Sequence, residues 1–134
     1  MIKVPISIGE AFDKLSILEI KKTKLSNRDI SNIELELRYL NEHISGLLSE
    51  ETALSLYRNL VTCNLEIWEC MDQLYRLHMT KKINIEYAEI CYRVTELNKN
   101  RAYLKREIDE MLGSDLKEEK SYFDSNPKKK SNSN

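Results

Sequence analysis

This 134-residue chain predicts an all-α fold, an antiparallel bundle of two helical hairpins with a disordered C-terminal tail. About four helices are expected, the last two long and coiled-coil-like. Three observations carry the prediction. Only three glycines and two prolines are present, whereas an all-β chain needs turn residues about every 8–12 positions. Apolar residues recur at alternating spacings of three and four through four long stretches. The breaks between those stretches are short, and short connections force neighbouring helices antiparallel. Residues 1–123 read as one helical domain, of a size that builds a core without metal or disulfide staples, and 124–134 as the tail.

Ser7-Ile-Gly-Glu10 has the form of a capping box and opens the first helix at about Ile8. Ile8, Ala11, Leu15, Leu18 and Leu25 make its stripe, with Lys22 at the one missing step and Phe12 widening the face. Lys21, Lys22, Lys24 and Arg28 crowd its C-terminal end, where cations complement the helix dipole. After the break Ser26-Asn-Arg-Asp29, the row Ile30, Ile33, Leu37, Leu40, Ile44 and Leu47 predicts a second helix packed along its whole length. Ser49-Glu50-Glu51 starts the third, which runs without glycine or proline to about Met79. Its stripe is Ala53, Tyr57, Leu60, Asn64, Ile67, Met71, Leu74 and His78, beside a parallel row of Leu54, Val61, Trp68 and Tyr75. A face that wide contacts two neighbours. Thr80 to Asn84 is the turn before a fourth helix carrying Ile90, Val94, Leu97, Arg101, Leu104, Ile108 and Met111. Gly113 ends it where left-handed geometry favours glycine, and residues 114–123 have room for one short turn. The final Ser125-Asn-Pro-Lys-Lys-Lys-Ser-Asn-Ser-Asn134 is polar, low-complexity sequence that buries no core.

The net charge of −1 leaves no field to attract nucleic acid or anionic lipid, and residues 1–120 alone carry 18 basic against 21 acidic side chains. Cys63, Cys70 and Cys91 are odd in number, form no CxxC and follow no signal peptide, which points to reduced thiols in the cytoplasm. His43 and His78 share no metal-ligand spacing with them. No apolar run approaches the roughly 20 residues that span a bilayer, so a soluble protein is expected. A hairpin of about 20-residue helices does not cover one of nearly 30, and the uncovered apolar face predicts a homodimer, with a further protein partner as an option.

Polar residues that interrupt the stripes are the candidates for function. With the long turn centred near residue 82, Arg101 lies opposite Cys63 and Asn64, and Asn98 opposite Glu66. Asn64, Glu66, Asn98 and Arg101 then form one polar patch in an apolar seam. Three readings stay open: a structural ion pair with a register-fixing asparagine, an anion pocket in which Arg101 grips a carboxylate or phosphate, or an arginine that snorkels to solvent. No cofactor is called for on these readings. An alternative needs Mg²⁺: Glu66 and Glu69, then Glu86 and Glu89, repeat an ExxE spacing that can chelate the ion from facing helices. It is similar to the ExxE and ExxD pair of all-α nucleoside-triphosphate pyrophosphohydrolases, although Glu89 replaces the aspartate and Glu86 sits about 13 Å out of register. Glu10, Asp13, Lys14, Glu19 and Lys21 decorate the first helix, where i, i+3 and i, i+4 pairs need no ligand to explain them. No nucleophile–base pair, glycine-rich phosphate loop or Cys–His arrangement is found.

The chain resembles a small family of about 130 residues, a domain of unknown function from bacteria and from phages or large DNA viruses. The resemblance covers most of residues 1–123. It rests on Ile8-Gly-Glu-Ala-Phe-Asp-Lys-Leu-Ser-Ile-Leu-Glu-Ile-Lys21, Leu65-Glu-Ile-Trp68 with Asp72, Asn98 and Arg101, and Glu118-Glu-Lys-Ser-Tyr122. The family pattern has asparagine-aspartate where this chain has Asn98-Lys99, which removes any role for that acid here. The resemblance implies that Glu10, Asp13, Lys14, Asn98 and Arg101 share a site, and an accessory role in glycan assembly. It supplies no reaction. The reading that results is a helical interaction module that self-associates, with a polar patch for a small anionic or sugar-nucleotide ligand. A Mg²⁺-dependent nucleotide hydrolase is the alternative.

Overall fold

The computed structural model describes residues 1–123, and the expected tail at 124–134 lies outside them. Four α-helices follow one another: α1 (Ile8–Lys24), α2 (Ser31–Ile44), α3 (Glu51–Met79) and α4 (Ile85–Met111). Short 3₁₀ turns stand at Leu47–Ser49 and Ser121–Phe123, and there is no strand among the described residues. Consecutive helices pair as two hairpins, α1 with α2 and α3 with α4, and α1 also packs on both long helices.

Local chemistry fixes the ends. Ser7 Oγ accepts the Glu10 N–H at 3.0 Å and caps α1. The other half of the capping box is not made, because the Glu10 carboxylate is drawn to Lys105 instead. Glu50, not Ser49, caps α3, its carboxylate accepting from the Thr52 and Ala53 N–H groups. The Ser49 hydroxyl is occupied with the Gly46 carbonyl. Asn84 Oδ1 caps α4 through the Tyr87 N–H. Gly113, at φ +65°, ends α4, while the Ser114 N–H closes back to the Asp109 carbonyl at 2.8 Å. Lys81 occupies the same left-handed position after α3, at φ 56°, where glycine would be unstrained.

The core gathers Phe12, Leu15, Leu18, Leu37, Ile44, Ala53, Leu60, Cys63, Leu97, Leu104 and Ile108. Its composition corrects two expectations. α1 is the central helix, so it buries Gly9, Phe12, Asp13, Leu15, Ser16, Leu18 and Ile20, far more than one stripe. α2 is peripheral and fully buries only Leu37 and Ile44, since it leans mainly on α1. The long hairpin is also about one helical turn out of the expected register. The Cys63 thiol donates to the Leu97 carbonyl at 3.2 Å, and Glu66 meets Arg93. The left-handed Lys81 closes the turn early and moves its centre toward residue 80. α3 and α4 have 29 and 27 residues against 17 and 14 for α1 and α2. The long hairpin therefore overhangs the short one.

Candidate functional site

Where α1 lies in the groove between α3 and α4, polar side chains from all three helices meet. Asp13 is 1% exposed. Arg101 grips it with two parallel bonds, Nε to Oδ1 at 2.8 Å and Nη2 to Oδ2 at 2.5 Å. Asn64 Nδ2 donates to Asp13 Oδ1 at 2.9 Å and to Ser16 Oγ at 2.7 Å. The Ser16 hydroxyl donates onward to the Asp13 carbonyl at 2.7 Å. The hydrogen bonds that Arg101 donates to Asp13 raise the guanidinium pKa above its ordinary value; burial opposes them, and the Asp13 charge adds to the rise. This is a charge-assisted, fork-to-carboxylate contact of the strong kind.

About two turns further along α4 a second polar group closes the N-terminus of α1. Asp109, fully buried, accepts the Gly9 N–H at 2.6 Å and the Glu118 N–H at 2.7 Å. Ser114 Oγ accepts the Ile8 N–H at 3.1 Å. A carboxylate at that end complements the helix dipole while satisfying donors that α1 cannot bond itself. Lys105 sits between Glu10 at 2.6 Å and Glu118 at 3.0 Å. Burial lowers the Lys105 ammonium, but its two carboxylate partners outweigh burial and the net shift is upward. The backbones approach closely enough that a Cβ on Gly9 would stand 2.3 Å from the Lys105 carbonyl oxygen. Among the described residues no buried side-chain nitrogen or oxygen lacks a hydrogen-bond partner.

The expected residues divide accordingly. Asp13, Asn64 and Arg101 come together, and Glu10 joins the adjoining Lys105 pair. Lys14 lies outside, in a half-exposed pair with Glu36 at 3.0 Å. Glu66 is not the partner of Arg101. The shifted register gives it to Arg93, and the acid that meets Arg101 comes from α1. Asn98 is exposed on α4 rather than set in the seam. Of the proposed metal ligands, Glu66, Glu69 and Glu89 line a shallow depression of about 560 Å³ with Arg93, and Glu86 is not part of it. No group of three or more His, Cys, Asp or Glu among the described residues is placed to hold a metal ion. The ExxE pairs thus do not assemble into a chelating set.

Ser16, Lys105, Asp109, Ser114 and Glu118 were not singled out by their chemistry. A signal was present. Arg101, Lys105 and Asp109 form an i, i+4 row on α4, and Gly9, Asp13 and Ser16 form a small, polar row on α1. Two such rows fit face to face, close and hydrogen-bonded. Gly9, Glu10 and Asp13 of α1, Arg101 of α4 and Glu118 beyond it all meet here.

Beside this network lies a mostly apolar groove of about 340 Å³ between α1 and α3, lined by Ile17, Ile20, Ile67, Trp68 and Met71. Asn64, Arg101 and Asp72 are its polar members. Past it the α1-facing row of α3 continues as Tyr75, His78 and Met79 with nothing over it: Met71 is 50%, Tyr75 64% and Met79 63% exposed. Asp72 borders the row Ile67, Trp68, Met71, Tyr75, His78 and Met79, while Glu69 and Arg76 lie on other faces of α3. Among the described residues no helix is long and apolar enough to cross a membrane. No family model, curated protein or solved structure matches the chain.

Proposed function

We propose that this chain is a non-enzymatic helical interaction module that self-associates through the overhang of its long hairpin. One observation carries the reading: the α3 row that α1 covers at the base runs on uncovered and mostly apolar to Met79. A contiguous apolar stripe of this kind marks an interaction surface. The polar network supports it by elimination of an easier ligand site. Asp13 holds the Nε and Nη2 donors of Arg101, so an external carboxylate or phosphate would meet only the remaining Nη donors of a guanidinium whose charge is already paired. Three free thiols suit a reducing compartment such as the cytoplasm.

Sedimentation equilibrium across a hundredfold range of concentration tests the proposal. The wild type should approach twice the 15.8 kDa chain mass, and Tyr75→Glu, which places a charge at a 64% exposed position, should stay at the single-chain mass with unchanged helicity. A wild type that remains monomeric throughout refutes self-association.

A further inference from the structure

We infer that two copies stack their hairpin overhangs antiparallel about a two-fold axis beside Tyr75, each tip seated in the other copy's groove at Trp68. This rests on the self-association proposed above and adds its geometry. The charges along the α3 side of the overhang are polarised. Glu69 and Asp72 come first on α3, and Arg76, Lys81 and Lys82 follow, all exposed. A parallel stack would set like charges together. An antiparallel stack about Tyr75 carries Lys81 and Lys82 to the levels of residues 69 and 68, within one turn of the other copy's Asp72.

The tip supplies the second argument. Ile83 and Ile85 are 85% and 77% exposed, at the turn between the long helices. Apolar residues at a hairpin tip have nothing to pack on within this chain. The turn at Lys82 lies seven residues past Tyr75, and Trp68, on the wall of the 340 Å³ groove, lies seven residues before it. The two-fold therefore carries the tip isoleucines of each copy onto the mostly apolar groove of the other. The area is adequate. Weighting Met71, Tyr75, Met79, Ile83 and Ile85 by their exposures, at about 200 Å² per large side chain, gives on the order of 700 Å² per copy. Two copies then bury on the order of 1,400 Å², inside the roughly 1,200–2,000 Å² of a specific interface.

Cysteine cross-linking of the full chain, with Cys70→Ser and Cys91→Ser to silence the half-buried thiols, tests the arrangement. Under mild oxidation Tyr75→Cys should give a covalent dimer by itself. Met79→Cys should not, but should link to Met71→Cys when the two variants are mixed. Ile85→Glu, at a position exposed in the single chain, should weaken the dimer at least tenfold by sedimentation without changing the melting temperature of the monomer. A self-link at residue 79, or a dimer of full affinity with Ile85→Glu, overturns the antiparallel stack while leaving self-association standing. A wild type that never exceeds the single-chain mass overturns both.

Discussion

Replacing Arg101 by leucine is the sharpest perturbation of the polar network. Leucine suits both the helix and the α4 stripe, so the loss falls on the partner left behind. In the folded protein the Asp13 side chain is 2% exposed and that of Arg101 29%. Without the guanidinium, one buried carboxylate retains a single side-chain donor, Asn64. Breaking a buried pair by removing one member costs about 3–5 kcal/mol. With a urea slope of about 2 kcal/mol per molar for a domain of this size, the midpoint should fall by roughly 1.5–2.5 M. The half-exposed Lys14–Glu36 pair sets the contrasting scale, at most about 1 kcal/mol. Urea denaturation followed by circular dichroism reads the difference. Asp13→Asn added to Arg101→Leu removes the stranded charge but keeps an acceptor for Asn64, so it should recover at least half of the loss. A midpoint shift below about 0.5 M for Arg101→Leu, or a double variant no better than the single one, refutes the account. An anion pocket predicts the opposite sign, a free protein unharmed or stabilised by losing Arg101.

Two further outcomes follow from particular atoms. Gly9→Ala should destabilise by about 1–3 kcal/mol, although alanine is the better helix former by about 1 kcal/mol, because its Cβ would meet the Lys105 carbonyl at 2.3 Å and Asp109 Oδ1 at 2.9 Å; thermal melts check it. Stability should fall in alkali. Burial, helped by the Glu19 charge, pushes the Tyr57 hydroxyl from 10.0 to about 12. Between those values the unfolded chain has lost a proton that the fold retains, so stability is fully present below pH 10 and declines toward pH 12. Tyr57→Phe keeps the ring packed edge-on to Phe12, and should flatten the fall in urea midpoint between pH 10 and 12.

Helix existence and most helix ends were legible in the sequence because they rest on local chemistry: Ser7 as a cap, the unbroken 3–4 spacing of α3, Gly113 as a stop. What was not legible depends on three helices at once. Asp13 reads as surface decoration on α1 alone, and Arg101 reads as lying opposite Cys63 and Asn64, in one patch with Glu66, when only α3 and α4 are considered. The structure inserts α1 between them, and Asp13 reaches Arg101 across 88 residues of sequence. The register error has a smaller cause, a lysine in a left-handed turn position that ordinarily calls for glycine. Glu66, Glu69, Glu86 and Glu89 illustrate the opposite failure. Their spacing along the chain was correct for chelation, but spacing within one helix says nothing of where the facing helix puts its own carboxylates.

The network and the overhang are two consequences of one packing choice. A stripe of apolar residues at heptad spacing is nearly degenerate under translation: slide α1 by seven residues along α4 and leucines still meet leucines and isoleucines. The polar rows remove that freedom. α1 runs antiparallel to α4, with Gly9 at Asp109 and Asp13 at Arg101, so a slip of one heptad would bring Asp13 against Val94 or Ile108. Neither offers a donor, and a stranded buried carboxylate costs several kcal/mol. Asn64 and Ser16 tie the same position to α3. With α1 pinned, its last turn stops at Lys24 and the length of α3 left bare is fixed. The uncovered row Met71, Tyr75 and Met79, on which the proposed self-association rests, therefore depends on the Asp13–Arg101 pair, which sets how much of the hairpin the chain leaves open.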